Sequence, residues 1–325
     1  MVFDLAFVVL GLVILLAAGD ALVRGAVGLA SMLGIPVLVI GLTIVAFGTS
    51  APELVVSIQA VLNGNNGIAI GNIVGSNIAN ILLVLGLPAM FAAISLDWSG
   101  LKRHAAVMLI ATGLFAFVVY QHGILDTTMG VLMLAAIAVY IAYIAITAMA
   151  SGKPDPALLE EVEEIAGGSS GGTGKTILFL VAGLIGLPLG AHFLVTHGAD
   201  LARELNVREE IIGLTIVAFG TSLPELATVW AAAMKREAEV AVGNVVGSNI
   251  FNILFVGGAT GLVGQTTFGE ATRTIDVPVM AASAVVLALM IFAKSKISRA
   301  LGAVFAILYV GYIIFTGMSA GGPAL

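Results

Sequence analysis

Gly41-Leu42-Thr43-Ile44-Val45-Ala46-Phe47-Gly48-Thr49-Ser50 recurs, identical at all ten positions, as Gly213-Leu214-Thr215-Ile216-Val217-Ala218-Phe219-Gly220-Thr221-Ser222. Each copy runs on into Pro-Glu-Leu, at Pro52-Glu53-Leu54 and Pro224-Glu225-Leu226, an offset of 225 − 53 = 172 residues. The same offset relates a second pair of segments, Gly71-Asn72-Ile73-Val74-Gly75-Ser76-Asn77-Ile78-Ala79-Asn80 and Gly243-Asn244-Val245-Val246-Gly247-Ser248-Asn249-Ile250-Phe251-Asn252. A constant offset through both pairs means that a whole unit has been duplicated.

The medium in which this unit folds follows from composition. The chain of 325 residues is 60% hydrophobic and 10% charged, with a mean hydropathy of +1.13. Soluble domains carry about 25% charged residues, so the sequence reads as an integral membrane protein. It has no cysteine, which excludes thiolate catalysis, iron–sulfur clusters and disulfides. The net charge of −6 is concentrated in one loop and does not point to a nucleic-acid partner. Asp4 stands where a secretory signal would carry Lys or Arg, so the first apolar run is expected to be a mature transmembrane helix.

A spanning helix needs about 20 apolar residues. The pattern predicts ten, at 3–32, 36–62, 67–93, 103–120, 125–149, 175–205, 209–234, 239–264, 276–293 and 297–318. The fold class expected is all-α integral membrane. It divides into a first five-helix repeat (1–149), a cytoplasmic acidic and Gly/Ser linker (150–174) and a second five-helix repeat (175–325). An odd number of spans per unit forces the second unit into the opposite orientation, an inverted repeat. With the N-terminus outside, ten of the thirteen Lys and Arg residues fall on the cytoplasmic side and only Arg203, Arg208 and Arg273 outside. The excess of basic residues inside therefore predicts that both termini are extracytoplasmic, in the cell membrane.

Two features of the linker region need separating from the site. Asp155-Pro156 reads as a helix start, and Leu158, Leu159, Val162 and Ile165 make an apolar stripe opposite Glu160, Glu161, Glu163 and Glu164. This is the pattern of a solvated surface helix, with a regulatory cation site as the alternative. Gly174-Lys175-Thr176 resembles the end of a phosphate-binding loop, but position 169 is Ser where that motif needs Gly, and no buried strand precedes it. No nucleotide is expected here.

Glu53 and Glu225 each lie near the middle of an apolar span. A charged side chain there costs about 2.5–3.5 kcal/mol on insertion scales and faces a cavity or partner. Pro52 lacks an N–H, and its ring clashes with the carbonyl of Gly48 four residues back; Pro224 stands in the same relation to Gly220. Both spans should break there, freeing carbonyls from Ala46 to Thr49 and from Ala218 to Thr221. Freed carbonyls survive at membrane depth when something else satisfies them, and cations can. On the neighbouring spans Ser76 and Asn80, and again Ser248 and Asn252, are four apart and share a helix face. Their oxygens are hard, neutral ligands suited to Na⁺ and Ca²⁺. Gly71 with Gly75, and Gly243 with Gly247, allow close helix approach, while Asn77 and Asn249 read as interhelical hydrogen-bonders. His192 and His197 are five apart, off a common face, and read as packing or pore-edge residues.

At these residues the chain resembles the sodium/calcium exchangers of the cation/calcium antiporter superfamily. Their signature of paired G-T-S-x-P-E and G-S-N-x-x-N/D motifs reads here from Gly48 to Glu53 and Gly75 to Asn80, then from Gly220 to Glu225 and Gly247 to Asn252. The absence of a large cytoplasmic regulatory domain resembles a prokaryotic member. The resemblance implies that Glu53 and Glu225 bind Ca²⁺ with the backbone carbonyls of Thr49 and Thr221. It implies that the same two Glu help bind Na⁺, with flanking sites from the Ala46 carbonyl, Ser50 and Ser248, and from the Ala218 carbonyl, Ser222 and Ser76. Asn80 and Asn252 complete the centre. Asn at 252, where potassium-dependent relatives carry Asp, argues against K⁺ co-transport.

The function expected is exchange of Na⁺ for Ca²⁺ by alternating access. The partners are those two ions and the lipid bilayer, with no cofactor, nucleotide or nucleic acid. H⁺/Ca²⁺ exchange remains open as an alternative. An intramembrane enzyme using the paired Glu is the remote one, since no catalytic constellation accompanies them.

Overall fold

The computed structural model describes residues 2–32, 50–97, 100–151, 172–205, 209–236 and 238–319. These are almost entirely helical. In chain order they form α1 (Val2–Met32), α2 (Ala51–Leu62), α3 (Asn66–Ala89), α4 (Leu101–His122), α5 (Thr127–Ser151) and α6 (Gly172–Leu205). There follow α7 (Gly213–Thr221), α8 (Leu223–Lys235), α9 (Val240–Val263), α10 (Thr272–Phe292) and α11 (Arg299–Ser319). Eight of these are long and apolar enough to cross a membrane, and α7 and α8, apolar enough only together, meet at a 52° bend. The expected second span is described only from Ser50 onward; its first half, with Ala46, Gly48 and Thr49, lies outside the described residues. So do the linker stripe and its acidic face, between 152 and 171.

Helix starts carry the chemistry that backbone N–H groups demand. Asp126 Oδ1 accepts the N–H of Met129 at 3.0 Å at the head of α5, and Ser298 Oγ accepts the N–H of Leu301 at 3.3 Å at the head of α11. These two caps are 172 residues apart, as the duplication requires. α6 runs unbroken through Gly174-Lys175-Thr176, and Thr176 is buried. The strand–loop–helix setting of a phosphate loop is therefore replaced by plain helix.

Four two-residue strands tie the loops together. β1 (Ile94–Ser95) pairs antiparallel with β4 (Lys296–Ile297), and β2 (Ile124–Leu125) pairs antiparallel with β3 (Thr266–Thr267). The apolar pattern puts Leu125 and Ile297 in helices and 94–95 just beyond one. Instead these residues pair, because loop backbone at the end of an apolar helix must find partners outside it.

Apolar side chains gather in two clusters. The larger unites α3, α4, α5, α8, α9, α10 and α11. The smaller joins α1 and α6 to α2, the start of α3 and the middle of α7 through Leu15, Val56, Ile68, Leu194 and Val217. α3 is the most enclosed span, whereas α1, α5, α6 and α11 keep most of their surface outward. Ile110, Val139 and Ile307 stand exposed on such outer faces, as side chains do where lipid is the solvent.

Candidate cation site

A helix start at Ser50 and a helix break at Ser222 frame the site. Ser50 (φ −88°, ψ 6°) and Ser222 (φ −85°, ψ 7°) have nearly the same non-helical backbone and head α2 and α8. Pro52 and Pro224 sit in the first turn of those helices, where a missing N–H costs nothing. Glu53 and Glu225 follow at once, both fully buried. Their position matters electrostatically: a carboxylate in the first turn lies at the positive end of the helix dipole.

α3 and α9 supply the opposite wall. Each changes from α- to π-helix at an asparagine, over Asn80–Val84 and Asn252–Val256. A π-turn widens the helix, and such turns collect at functional sites. The packing is crosswise. The π-turn beginning at Asn252 lies against α2, which bears Glu53, and the π-turn beginning at Asn80 lies against α8, which bears Glu225. Ser76, Asn80, Ser248 and Asn252 are all buried.

The site is defined by what its polar atoms lack. Sixteen buried side-chain oxygens and nitrogens among the described residues have no hydrogen-bond partner, and ten belong to Ser50, Glu53, Asn80, Ser222, Glu225 and Asn252. Thr221 and Ser222 lie beside the Glu53 carboxylate, and Ser248 beside that of Glu225, without completing hydrogen bonds. Buried polar atoms are nearly always paired. Six residues from four helix segments leaving both carboxylates unpaired have the chemistry of a cation receptor. Hard oxygens, two of them anionic groups, match Na⁺ and Ca²⁺.

Asn72 escaped the sequence reading. Its amide donates to the Glu53 carbonyl (3.1 Å) and to Ser57 Oγ (2.9 Å). Its Oδ1 accepts from Thr221 Oγ1 at 3.1 Å and from Ser76 Oγ at 3.5 Å. The signal was present: Asn72, Ser76 and Asn80 are successive positions four apart on one face. Asn249 fulfils its expected role, reaching the Asn77 carbonyl at 3.4 Å on the other long buried helix. Asn77 does not; its amide turns back to the Ile73 carbonyl of its own helix at 2.8 Å.

Other expectations fare unevenly. The Ala218 carbonyl is not freed: it accepts the N–H of Ser222 at 3.1 Å, with Thr221 Oγ1 at 3.4 Å. The helix completes one more turn than Pro224 alone suggested, because proline removes only its own N–H. Gly220 packs on Leu12 of α1. A Cβ on Gly75 would stand 2.7 Å from the Ala218 Cβ, and one on Gly213 would stand 3.0 Å from the Gly71 Cα, so α3 and α7 meet at glycines. Nothing among the described residues lies within 4 Å of a Cβ placed on Gly247. His197 packs against Phe3 and Phe7, as expected, and its Nδ1 also lies 3.1 Å from Asp4 Oδ1.

The sequence profile of the sodium/calcium exchanger protein family matches residues 3–152 and 175–318. The putative antiporter CaxA of Alkalimonas amylolytica is 36% identical over 310 residues, covering 94% of this chain and 96% of that protein. The sodium/calcium exchanger MaX1 of Methanosarcina acetivorans is 32% identical over 335 residues, with 94% and 96% coverage. Among solved structures, the sodium-calcium exchanger NCX_Mj soaked with 100 mM Na⁺ and 10 mM Sr²⁺ superposes with a TM-score of 0.64. That match has 32% identity and covers 96% of this chain and 98% of that one.

Proposed function

The chain belongs to the sodium/calcium exchanger family, and on that premise we propose that it exchanges Na⁺ for Ca²⁺ across a cell membrane by alternating access. It is a multi-pass membrane protein and a cation/Ca²⁺ antiporter by family. The observation that carries the finer reading is the group of unpaired buried atoms on Ser50, Glu53, Asn80, Ser222, Glu225 and Asn252.

In this reading Glu53 and Glu225 bind Ca²⁺ with the Thr221 carbonyl and its counterpart on Thr49. Na⁺ ions occupy the same carboxylates and the flanking positions at Ser50 with Ser248, the Ala46 carbonyl, Ser222 with Ser76, and the Ala218 carbonyl. The hydrogen-bonded Ala218 carbonyl keeps a second lone pair for an ion. Two carboxylates give the ion-free site a charge near −2, which is costly to carry across the membrane interior. One Ca²⁺ neutralises it, and so do Na⁺ ions bound in its place. Because the loads compete, each cycle exchanges one for the other.

We also propose ten spans in two inverted repeats, 1–149 and 175–325 about the linker 150–174, with both termini extracytoplasmic. The strand pairing supports this. β1 and β3 are 172 residues apart, as are β2 and β4, yet β1 pairs with β4 and β2 with β3. A loop from one half therefore meets the non-equivalent loop of the other, as antiparallel repeats require. In this reading Lys102, Lys294 and Lys296 share one side, where the basic residues are expected.

The test is gradient-driven ⁴⁵Ca uptake into proteoliposomes. An outward Na⁺ gradient drives uptake under this reading. Uptake driven by a pH gradient and indifferent to Na⁺ would replace it with H⁺/Ca²⁺ exchange.

A further inference from the structure

A second group of metal-ligating side chains lies away from the cation site. α1 and α6 run antiparallel in close contact: a Cβ on Gly11 would meet the Gly190 carbonyl at 2.8 Å, and one on Gly25 would meet the Leu180 nitrogen at 2.6 Å. This register carries Asp4, at the start of α1, to His197 and Asp200, near the end of α6. One ligand atom from each lies within 4.8 Å of the other two. His197 and Asp200 are three apart and share a helix face. Two ligands from one helix and a third from its neighbour is a common way to build a metal site between packed helices.

We propose that Asp4, His197 and Asp200 form a second site, for a transition-series divalent cation such as Zn²⁺, that is not transported. The donor set decides the class. One imidazole nitrogen and two carboxylates suit Zn²⁺, Ni²⁺ or Mn²⁺ and leave a position for water. Ca²⁺ takes six to eight oxygens, which this set does not provide. The imidazole is held in place by Phe7, stacked at 4.6 Å, and by Phe3, edge-on at 5.7 Å. Asp200 Oδ1 bonds Arg203 Nη1 at 2.6 Å, so a metal taking the other oxygen would meet a carboxylate already oriented by a neighbour. Metal would replace the His197–Asp4 hydrogen bond and join α1 to α6 at this end. The site is remote from Glu53. α1 reaches Pro52, next to Glu53, at Gly19, where a Cβ would stand 3.5 Å from Pro52 Cγ, and Asp4 stands fifteen residues earlier, about 22 Å along the helix.

Zn²⁺ titration of the purified protein by calorimetry, in saturating Ca²⁺, tests this without relying on transport. One Zn²⁺ per chain binds wild type. His197→Gln weakens binding by about tenfold or more, and the paired Glu53→Gln, Glu225→Gln variant leaves it unchanged. Equal Zn²⁺ affinity in His197→Gln, or loss of binding in the Glu variant, overturns the site. Should His197→Gln not yield monodisperse protein, Co²⁺ added to wild type gives visible absorption bands that Zn²⁺ abolishes. Their absence overturns the proposal equally.

Discussion

Asn72 Oδ1 accepts a hydrogen bond from Thr221 Oγ1 at 3.1 Å, joining residues 149 positions apart in the two halves of the chain. The same asparagine holds the Glu53 carbonyl through its amide. One side chain therefore positions an acidic residue of the first half against the helix break of the second.

Asn72→Ala removes the partner of Ser57 and of the Glu53 carbonyl and leaves Thr221 Oγ1 to the Val217 carbonyl of its own helix at 3.1 Å, and unsatisfied buried groups cost about 1–3 kcal/mol each. The half-saturating Ca²⁺ concentration for exchange is expected to rise by about ten- to a hundredfold, as when the groups that orient metal ligands are removed. Ser57→Ala, which removes only one contact, has the smaller effect. An unchanged Ca²⁺ dependence in Asn72→Ala would mean that the bridge does not position the site.

Glu53→Gln and Glu225→Gln each remove one of two buried carboxylates while keeping shape. Both are expected to reduce Na⁺-driven ⁴⁵Ca uptake to the level of protein-free vesicles, with the protein still monodisperse in detergent. Normal flux in either variant would refute its assignment as an ion ligand.

Gly75→Ala puts a methyl group 2.7 Å from the Ala218 Cβ and 2.9 Å from the Leu214 Cα. Backbone and Cβ atoms cannot swing aside, so overpacking of about 1–3 kcal/mol is expected. Thermal unfolding in detergent should shift down by several degrees. Gly113→Ala, inside α4 with nothing within 4 Å, is the control. There the gain in helix propensity, about 1 kcal/mol, should hold or raise the melting temperature. Equal shifts would show that α3 and α7 separate more easily than their glycine contact implies.

Asp126 gives a pH dependence whose sign can be stated. Its carboxylate accepts the Met129 N–H, the larger effect, and faces His122 Nε2 at 3.0 Å, so its pKa lies below the usual carboxylate range. A group depressed in the folded state contributes stability above its unfolded pKa, about 3.9, and loses it as pH falls through the folded value. Melting curves from pH 3 to 7 should therefore show a smaller acid-side decline in Asp126→Ala than in wild type. Parallel curves would place the decline on other carboxylates.

The sequence by itself determined the all-helical membrane class, the internal duplication in sequence and the acidic pair. Apolar runs long enough to span, Pro52 and Pro224 without their N–H groups, and Glu53 and Glu225 in an apolar setting are local facts. Membrane depth makes each costly unless it serves a site. Position alone also put Ser76 with Asn80 and Ser248 with Asn252, because helical spacing is fixed at 3.6 residues per turn. What only tertiary structure decided is which segments meet. The crosswise approach of Asn252 to the Glu53 helix, the Asn72–Thr221 bridge and the pairing of β1 with β4 depend on the packing of helices far apart in sequence. The register of α1 on α6 that brings Asp4 to His197 depends on it too. The contact of His197 with Asp4 is not legible along the chain because its partner lies 193 residues away. The Ala218 carbonyl looked free because proline's missing N–H was read without the extra turn that the chain completes before Ser222. Helix periodicity lies in the backbone and can be read along the chain. Contact between helices depends on the register of glycine seams and buried polar groups on two surfaces at once.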